Sequence, residues 1–245
     1  MPLLGVRDVG TEIESAPEMP SFDAEPTTIE QVEILQAMFE IDSPPMLELL
    51  PAALHPTIPP TVTWLVWRAA GGPLGPFTMA QTRIGARSGA RPRGYLLAAV
   101  IDNPDAAAVL AEQWGYHCVP GEVQLRRFHD RIEGWATLGG RTILEVSLVD
   151  GEAISGSDIQ YTANMHLART PRGVRLVQVD PEYVFHRAER GRPQLASFDP
   201  SAWGDARIEP VWPVAASFAI ADVTLPKLRY LCDPDVPAMQ GTEKL

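Results

Sequence analysis

Lysine is nearly absent from this chain. Of its 20 basic residues only Lys227 and Lys244 are lysines, and the remaining 18 are arginines. Chemistry that needs a primary amine therefore has two side chains and the amino terminus to draw on. Cysteine is equally scarce: Cys118 and Cys232 give neither a disulfide framework nor a CxxC metal site. Positive charge is short, with 31 acidic residues against 20 basic ones and a net −11 at pH 7. A phosphate backbone or an anionic membrane surface is thus a poor general partner. No apolar run approaches the roughly 18–20 residues that cross a bilayer, and "MPLLGVRDVGTEIES" lacks the basic start and apolar centre of a secretory signal. The expected location is cytoplasmic. P-loop, GxGxxG, GxSxG, HxH and HExxH patterns are missing as well, so neither a cofactor nor a metal is expected.

What is present is β-rich and broken into short units. Residues 1 to 28 are rich in Pro, Glu, Ser and Thr without periodicity, which predicts a mobile arm. "VEILQAMFEI" (32–41) alternates as a strand does. "SPPMLELLPAAL" (43–54) carries a Ser cap and first-turn prolines, predicting a helix. "TVTWLVWRA" (61–69) is a strand, and "FTMAQTRIGA" (77–86) with "YLLAAVI" (95–101) a strand pair. The clearest helix is "DNPDAAAVLAEQWG" (102–115), which Asn103 can cap and Gly115 can end. An antiparallel meander follows, with turns expected at His129-Asp130 and Asp150-Gly151, and then a hairpin around Pro171-Arg172-Gly173. "AASFAIADVTL" (215–225) is a last strand and "KLRYL" the start of a short helix. No linker divides residues 29–235, and 236–245 form a C-terminal tail. The fold class is mainly β with a few helices (α+β): one antiparallel domain, closed as a barrel.

Several segments in this order, "MLELLPAALHP", "YLLAAVIDNPDAAAVLAEQWGY", "FHDRIEG", "YTANMHLARTPRGVRLVQVD" and "FAIADVTLP", resemble the acetoacetate decarboxylase superfamily. The resemblance implies a cone-shaped antiparallel β-barrel with peripheral helices, an interior pocket and a homo-oligomer. It also implies a small-molecule ligand, a carboxylic or keto acid or something polyketide-like. The family's decarboxylases carry an aromatic-Pro-Lys-Lys motif after the helix. One lysine forms a Schiff base with a keto acid and its neighbour lowers the nucleophile's pKa. The matching positions here read Tyr116-His117-Cys118-Val119, with Cys118 in place of the Schiff-base lysine and Val119 in place of its neighbour. The family's two pocket glutamates fall on Trp64 and Met79, and a pocket arginine falls near Gln31. The resemblance therefore implies a divergent member without the Schiff-base lysine.

The expected catalytic residues are His117 and Cys118. His117 titrates near neutral pH and can act as acid or base, or simply close the helix exit through a carbonyl. Cys118 follows the negative end of a helix, which disfavours a thiolate, and an extended loop points it away from His117. The expected binding residues are Trp64, Met79, Tyr116 and Val119 as chamber wall, and Thr78, Gln81 and Asn164 as groups that polarise a carbonyl. His166 lies on a strand, facing either the interior or solvent. Arg83, in the arginine-rich "RIGARSGARPR", either holds a carboxylate or phosphate at a pocket mouth or decorates a solvent loop. These features predict an enzyme of lyase, isomerase or cyclase type, of the kind met in secondary metabolism. It would act on a fairly apolar keto or enoyl acid by hydrogen bonding and acid–base catalysis, without an imine. The competing expectation is a non-catalytic small-molecule-binding barrel whose pocket Trp64 and Met79 have filled.

Overall fold

Alternation of apolar and polar residues turns most of the chain into strands, and the computed structural model, which describes residues 3–245, joins them in one sheet. In chain order the strands are β1 (Thr27–Ile41), β2 (His55–Pro56), β3 (Thr61–Ala69), β4 (Phe77–Ser88) and β5 (Arg91–Ile101). After helix α1 (Pro104–Trp114) come β6 (Cys118–Pro120), β7 (Glu122–Arg127), β8 (Arg131–Leu138) and β9 (Arg141–Ala153). Then follow β10 (Ala163–Thr170), β11 (Gly173–Val179), β12 (Glu182–Phe198), β13 (Pro210–Leu225), β14 (Tyr230–Cys232), the one-turn α2 (Ala238–Gly241) and β15 (Thr242–Lys244). Their order in space is β15-β14-β11-β10-β5-β4-β3-β1-β13-β12-β9-β8-β7, with β2 on β4 and β6 on β5. Among the described strands the parallel pairings are β5 with β6 and β5 with β10. The hydrogen-bonded path is open, but the sheet curls over itself. Gly134 of β8 lies so close to Leu35 and Val66 that a β-carbon there would meet Val66 at 2.9 Å. The result is the expected cone-shaped barrel with peripheral helices.

Side chains alternate across a strand, and cross-strand partners share a face, so β4 divides the interior in two. Ala80 and Ile84 join Val62, Trp64 and Val66 in one apolar core, covered by β7–β9. Met79 joins Leu65, Trp67, Leu96, Ala99 and Ile101 in a second, covered by α1, β10 and β11. Gln81 and Arg83 stand on the Met79 face, and everything below concerns that face.

α1 forms as its sequence dictates. The Asn103 side chain accepts from the backbone N–H groups of Asp105 and Ala106, Pro104 fills the first turn, and Gly115 ends the helix at φ 72°. Several expectations need correction. Residues 43–54 give only a single 3-10 turn, Pro44–Leu47, because Pro51 interrupts the remainder. Asp150-Gly151 is not a turn: β9 runs through it, Asp150 takes φ 54°, and the register jumps opposite Arg190–Arg192. "KLRYL" is extended and supplies β14, which pairs with β11. The tail over 236–245 folds into α2 and β15, which pairs with β14. Residues 1 and 2 of the expected mobile arm lie outside the described residues, and the rest is docked. Val9, Ala16, Met19 and Ala24 are buried, and Met19 N–H donates to the Arg169 carbonyl at 2.8 Å. Among the described residues no helix is long and apolar enough to cross a membrane.

Candidate functional site

The face shared by Gln81 and Arg83 carries a polar cluster inside an apolar barrel. Arg83 is buried, 2% exposed, and its side chain crosses β5 at Gly94, where a β-carbon would sit 3.2 Å from Arg83 Cδ. Glycine at 94 thus makes the passage from β4 to β10 possible. On the far side Arg83 Nη1 donates to Asn164 Oδ1 at 2.9 Å and to the Thr162 carbonyl at 3.1 Å, while Nη2 reaches Gln36 Oε1 at 3.5 Å. Asn164 Nδ2 donates to Gln81 Oε1 at 3.0 Å and to the Tyr116 hydroxyl at 3.1 Å. Every partner of the guanidinium is therefore a neutral oxygen. Burial pushes its pKa down, and only the phenols of Tyr183, Tyr116 and Tyr161 pull the other way. A cation removed from water without a counter-charge costs several kcal/mol, and no carboxylate is hydrogen-bonded to this one to offset that cost.

Donors outnumber acceptors around it. Arg83 Nε and Gln81 Nε2 are buried without a hydrogen-bond partner among the described residues, while the buried Tyr161 and Ser217 hydroxyls have only each other within reach. The Tyr116 oxygen accepts from Asn164, which leaves its own hydrogen free, and burial raises its pKa so that it stays protonated. His166 stacks on Tyr116 with ring centroids 4.7 Å apart. Its Nε2 lies 2.7 Å from the Trp114 carbonyl, an acceptor only, so Nε2 carries the hydrogen and the buried Nδ1 presents an unpaired lone pair. Burial lowers the pKa of His166 to about 4, keeping it neutral.

The sequence-derived candidates divide accordingly. Gln81, Arg83, Tyr116, Asn164 and His166 come together. Arg83 is neither at a pocket mouth nor in the solvent loop formed by its neighbours Arg87 and Arg91; it is interior. Cys118 pairs with Ala99, which pairs with Gln81, so the thiol lies on the same face two strands away. Burial raises its pKa to about 12, which leaves far less thiolate than in an ordinary thiol. Iodoacetamide at pH 8 is expected to label native Cys118 at least about 100-fold more slowly than glutathione; equal rates would restore it as a nucleophile. His117 and Val119 alternate onto the opposite face. His117 is held below its usual pKa by burial, with Glu12 of the N-terminal segment opposing the shift. Trp64 stands on that opposite face too, packed edge-on against Phe39 and Phe198. Thr78 lies at the far end of β4, its N–H donating to Asp102 Oδ1 at 2.7 Å. Met79 shares the Gln81 face but is absorbed in the apolar core. Three site residues were not legible beforehand: Gln36, Tyr161 and Ser217. Their strands read as ordinary alternation, and only the curl of the sheet brings them to Arg83.

Both lysines are remote. Lys227 is exposed and pairs with Glu25 at 3.8 Å, and Lys244 is exposed on β15.

The family model for acetoacetate decarboxylase matches residues 13–234. A solved structure of acetoacetate decarboxylase is similar at a TM-score of 0.75 and 20% identity, covering 87% of this chain and 90% of that one. Acetoacetate decarboxylase from Legionella pneumophila gives 0.69 and 17%, covering 84% and 86%. The enduracididine biosynthesis enzyme MppR, solved with pyruvate, gives 0.69 and 16%, covering 84% and 90%. No curated protein sequence matches the chain.

Proposed function

We propose a function from one premise: the chain belongs to the acetoacetate decarboxylase family. It is an enzyme that holds a small keto or related carboxylic acid against Arg83 and promotes lyase-, isomerase- or cyclase-type chemistry beside the carbonyl, without a lysine imine. One observation carries this reading: a buried arginine whose partners are all neutral, in a cluster with spare donors. The ligand carboxylate supplies the missing counter-charge. The Tyr116 hydroxyl and Gln81 Nε2 donate to the carbonyl oxygen, where charge develops as a proton or carboxylate leaves the adjacent carbon. His166 Nδ1, on a ring stacked against Tyr116, is the proton acceptor in this reading, and ligand charge raises its proton affinity. The pyruvate in the MppR structure makes a keto acid the class to try first.

A non-catalytic binding barrel is the second reading, favoured by an interior cluster that holds no carboxylate and a histidine kept neutral.

The test is a borohydride trap combined with isotope exchange. With 2-oxobutanoate in deuterium oxide, exchange at C3 is expected, with no reductively trapped adduct on the wild-type chain. Cys118→Lys, which returns an amine to the Gln81 face, is expected to give an adduct. An adduct on wild-type Lys227 or Lys244 would overturn the imine-free reading. Binding without exchange would favour the second.

A further inference from the structure

The chemistry of the ligand's remaining part is written in what lies behind Gln36 and Ser217. Both are nearly buried, and both line a pocket of about 280 Å³ that opens to solvent past Gln160 and Arg190. Gln36 reaches Arg83 from this side at 3.5 Å, the outer limit of a hydrogen bond. Ser217, opposite Gln36 in the sheet, and Tyr161 bring two buried hydroxyls whose only near partners are each other. The pocket is therefore the one described opening whose floor touches the polar cluster.

One side of it is aliphatic, formed by Ile154, Ile159, Ala215 and Ala216. Ile159 packs with Ala188 and Ala219 in a small cluster separate from both main cores, against which Ile154, Tyr161 and Phe185 lie. Tyr161 is 4.9 Å from Tyr183 and 5.9 Å from Phe185 between ring centroids. Polar groups thus sit at one end and aliphatic surface at the other. The only carboxylate lining the pocket is the exposed Asp158, and Arg190, which donates to the Asp158 carbonyl, adds positive charge at the rim. The two rim charges offset each other, and no carboxylate lies at the inner end beside Gln36 and Ser217.

We propose, resting on the carboxylate anchor at Arg83, that the substrate is a keto acid bearing one compact apolar arm. The carboxylate displaces the Gln36 amide from Arg83, and the arm lies against Ile159, Ile154 and Ala216 in this pocket. About 280 Å³ falls just below the roughly 300–1,000 Å³ of sites for drug-sized ligands. It suits a single ring or a branched alkyl group. A carbon chain too short to reach Ile159 forgoes that burial, which for a phenyl group is worth about 10-fold or more in affinity.

Isothermal titration of pyruvate and phenylpyruvate separates the arm from the anchor. Wild-type protein is expected to bind phenylpyruvate at least about 10-fold more tightly than pyruvate. Ile159→Trp, which fills the pocket, is expected to erase that preference while leaving pyruvate affinity within about 2-fold. If that variant fails to fold, Gln160→Trp on the exposed rim makes the same test. Arg83→Gln is expected to weaken both acids together. Equal wild-type affinities, or a filled pocket that weakens both acids alike, would overturn the arm and leave the anchor standing. If neither acid binds wild-type protein, the anchor reading falls and takes the arm with it.

Discussion

Arg83→Met is expected to lose acid binding while the unliganded protein becomes more stable. Both directions follow from one imbalance. In the free protein the guanidinium is buried among neutral oxygens. Replacing even a buried ion pair by apolar side chains is often neutral or stabilising, and an uncompensated charge recovers more desolvation still, enough to outweigh the hydrogen bonds lost. In the complex the same charge meets a carboxylate, and removing one member of a buried charge pair costs about 2–5 kcal/mol, or at least about 30-fold in affinity. Urea denaturation with and without pyruvate measures both quantities on one sample. The midpoint without ligand should rise, and the ligand-induced shift seen in wild type should disappear. A merely structural arginine predicts the opposite pattern, a lower midpoint and an undiminished ligand shift. Arg83→Lys sharpens the result. A lysine head lacks the planar fork that spans Asn164, Thr162 and Gln36 at once, so it should recover only part of the affinity despite keeping the charge.

This arginine also shows where sequence reading stops. The alternation of β4, the glycine that ends α1 and the register of the β10–β11 hairpin were all legible, because each depends on residues close together in the chain. Gln81, Tyr116, Asn164 and His166 could be named because they lie on those elements. Their meeting is a long-range matter. Arg83 reaches Asn164 past Gly94, which leaves it room to cross, and within "RIGARSGARPR" nothing distinguishes Arg83 from Arg87 except a strand that continues to Ser88. β12 was missed for a related reason. It is rich in Arg and Glu, largely exposed, and alternates weakly, yet it pairs along most of β9 and β13. His117 drew attention by its chemistry and its position after the helix, but a one-residue step along an extended segment is enough to send a side chain to the opposite face. The 1–28 arm failed differently. Composition signalled disorder, whereas a few apolar residues and one arginine are enough to dock it.

That docking leads to a second large effect, on stability. Arg7 pairs with Glu12 and with Asp205, whose carboxylate also takes the Arg207 side chain and its backbone N–H, and Glu12 accepts from the Tyr95 hydroxyl at 3.4 Å. The Arg7 and Asp205 side chains are 8% and 5% exposed, so the pair lies in the regime where removing one partner strands the other. Asp205→Ala is expected to cost about 3 kcal/mol, which for a chain of this size lowers the melting temperature by about 6–12 °C, and to expose the N-terminal segment to proteolysis. Burial alone would raise the Asp205 pKa, but hydrogen bonds from Arg207 and Arg7 outweigh it and bring the group to about 2. A carboxylate whose folded pKa lies below its unfolded value, about 3.9, contributes its stabilisation above the unfolded pKa and loses it as pH falls through the folded one. The gap between wild type and Asp205→Ala should therefore be full at pH 7 and shrink between about pH 4 and pH 2. Urea titrations at pH 7 and pH 2.5 check this directly. A gap of equal size at both would assign the loss to packing rather than to the carboxylate's charge, and the clasp over the N-terminal segment would have to be explained by Val9, Ala16 and Met19 alone.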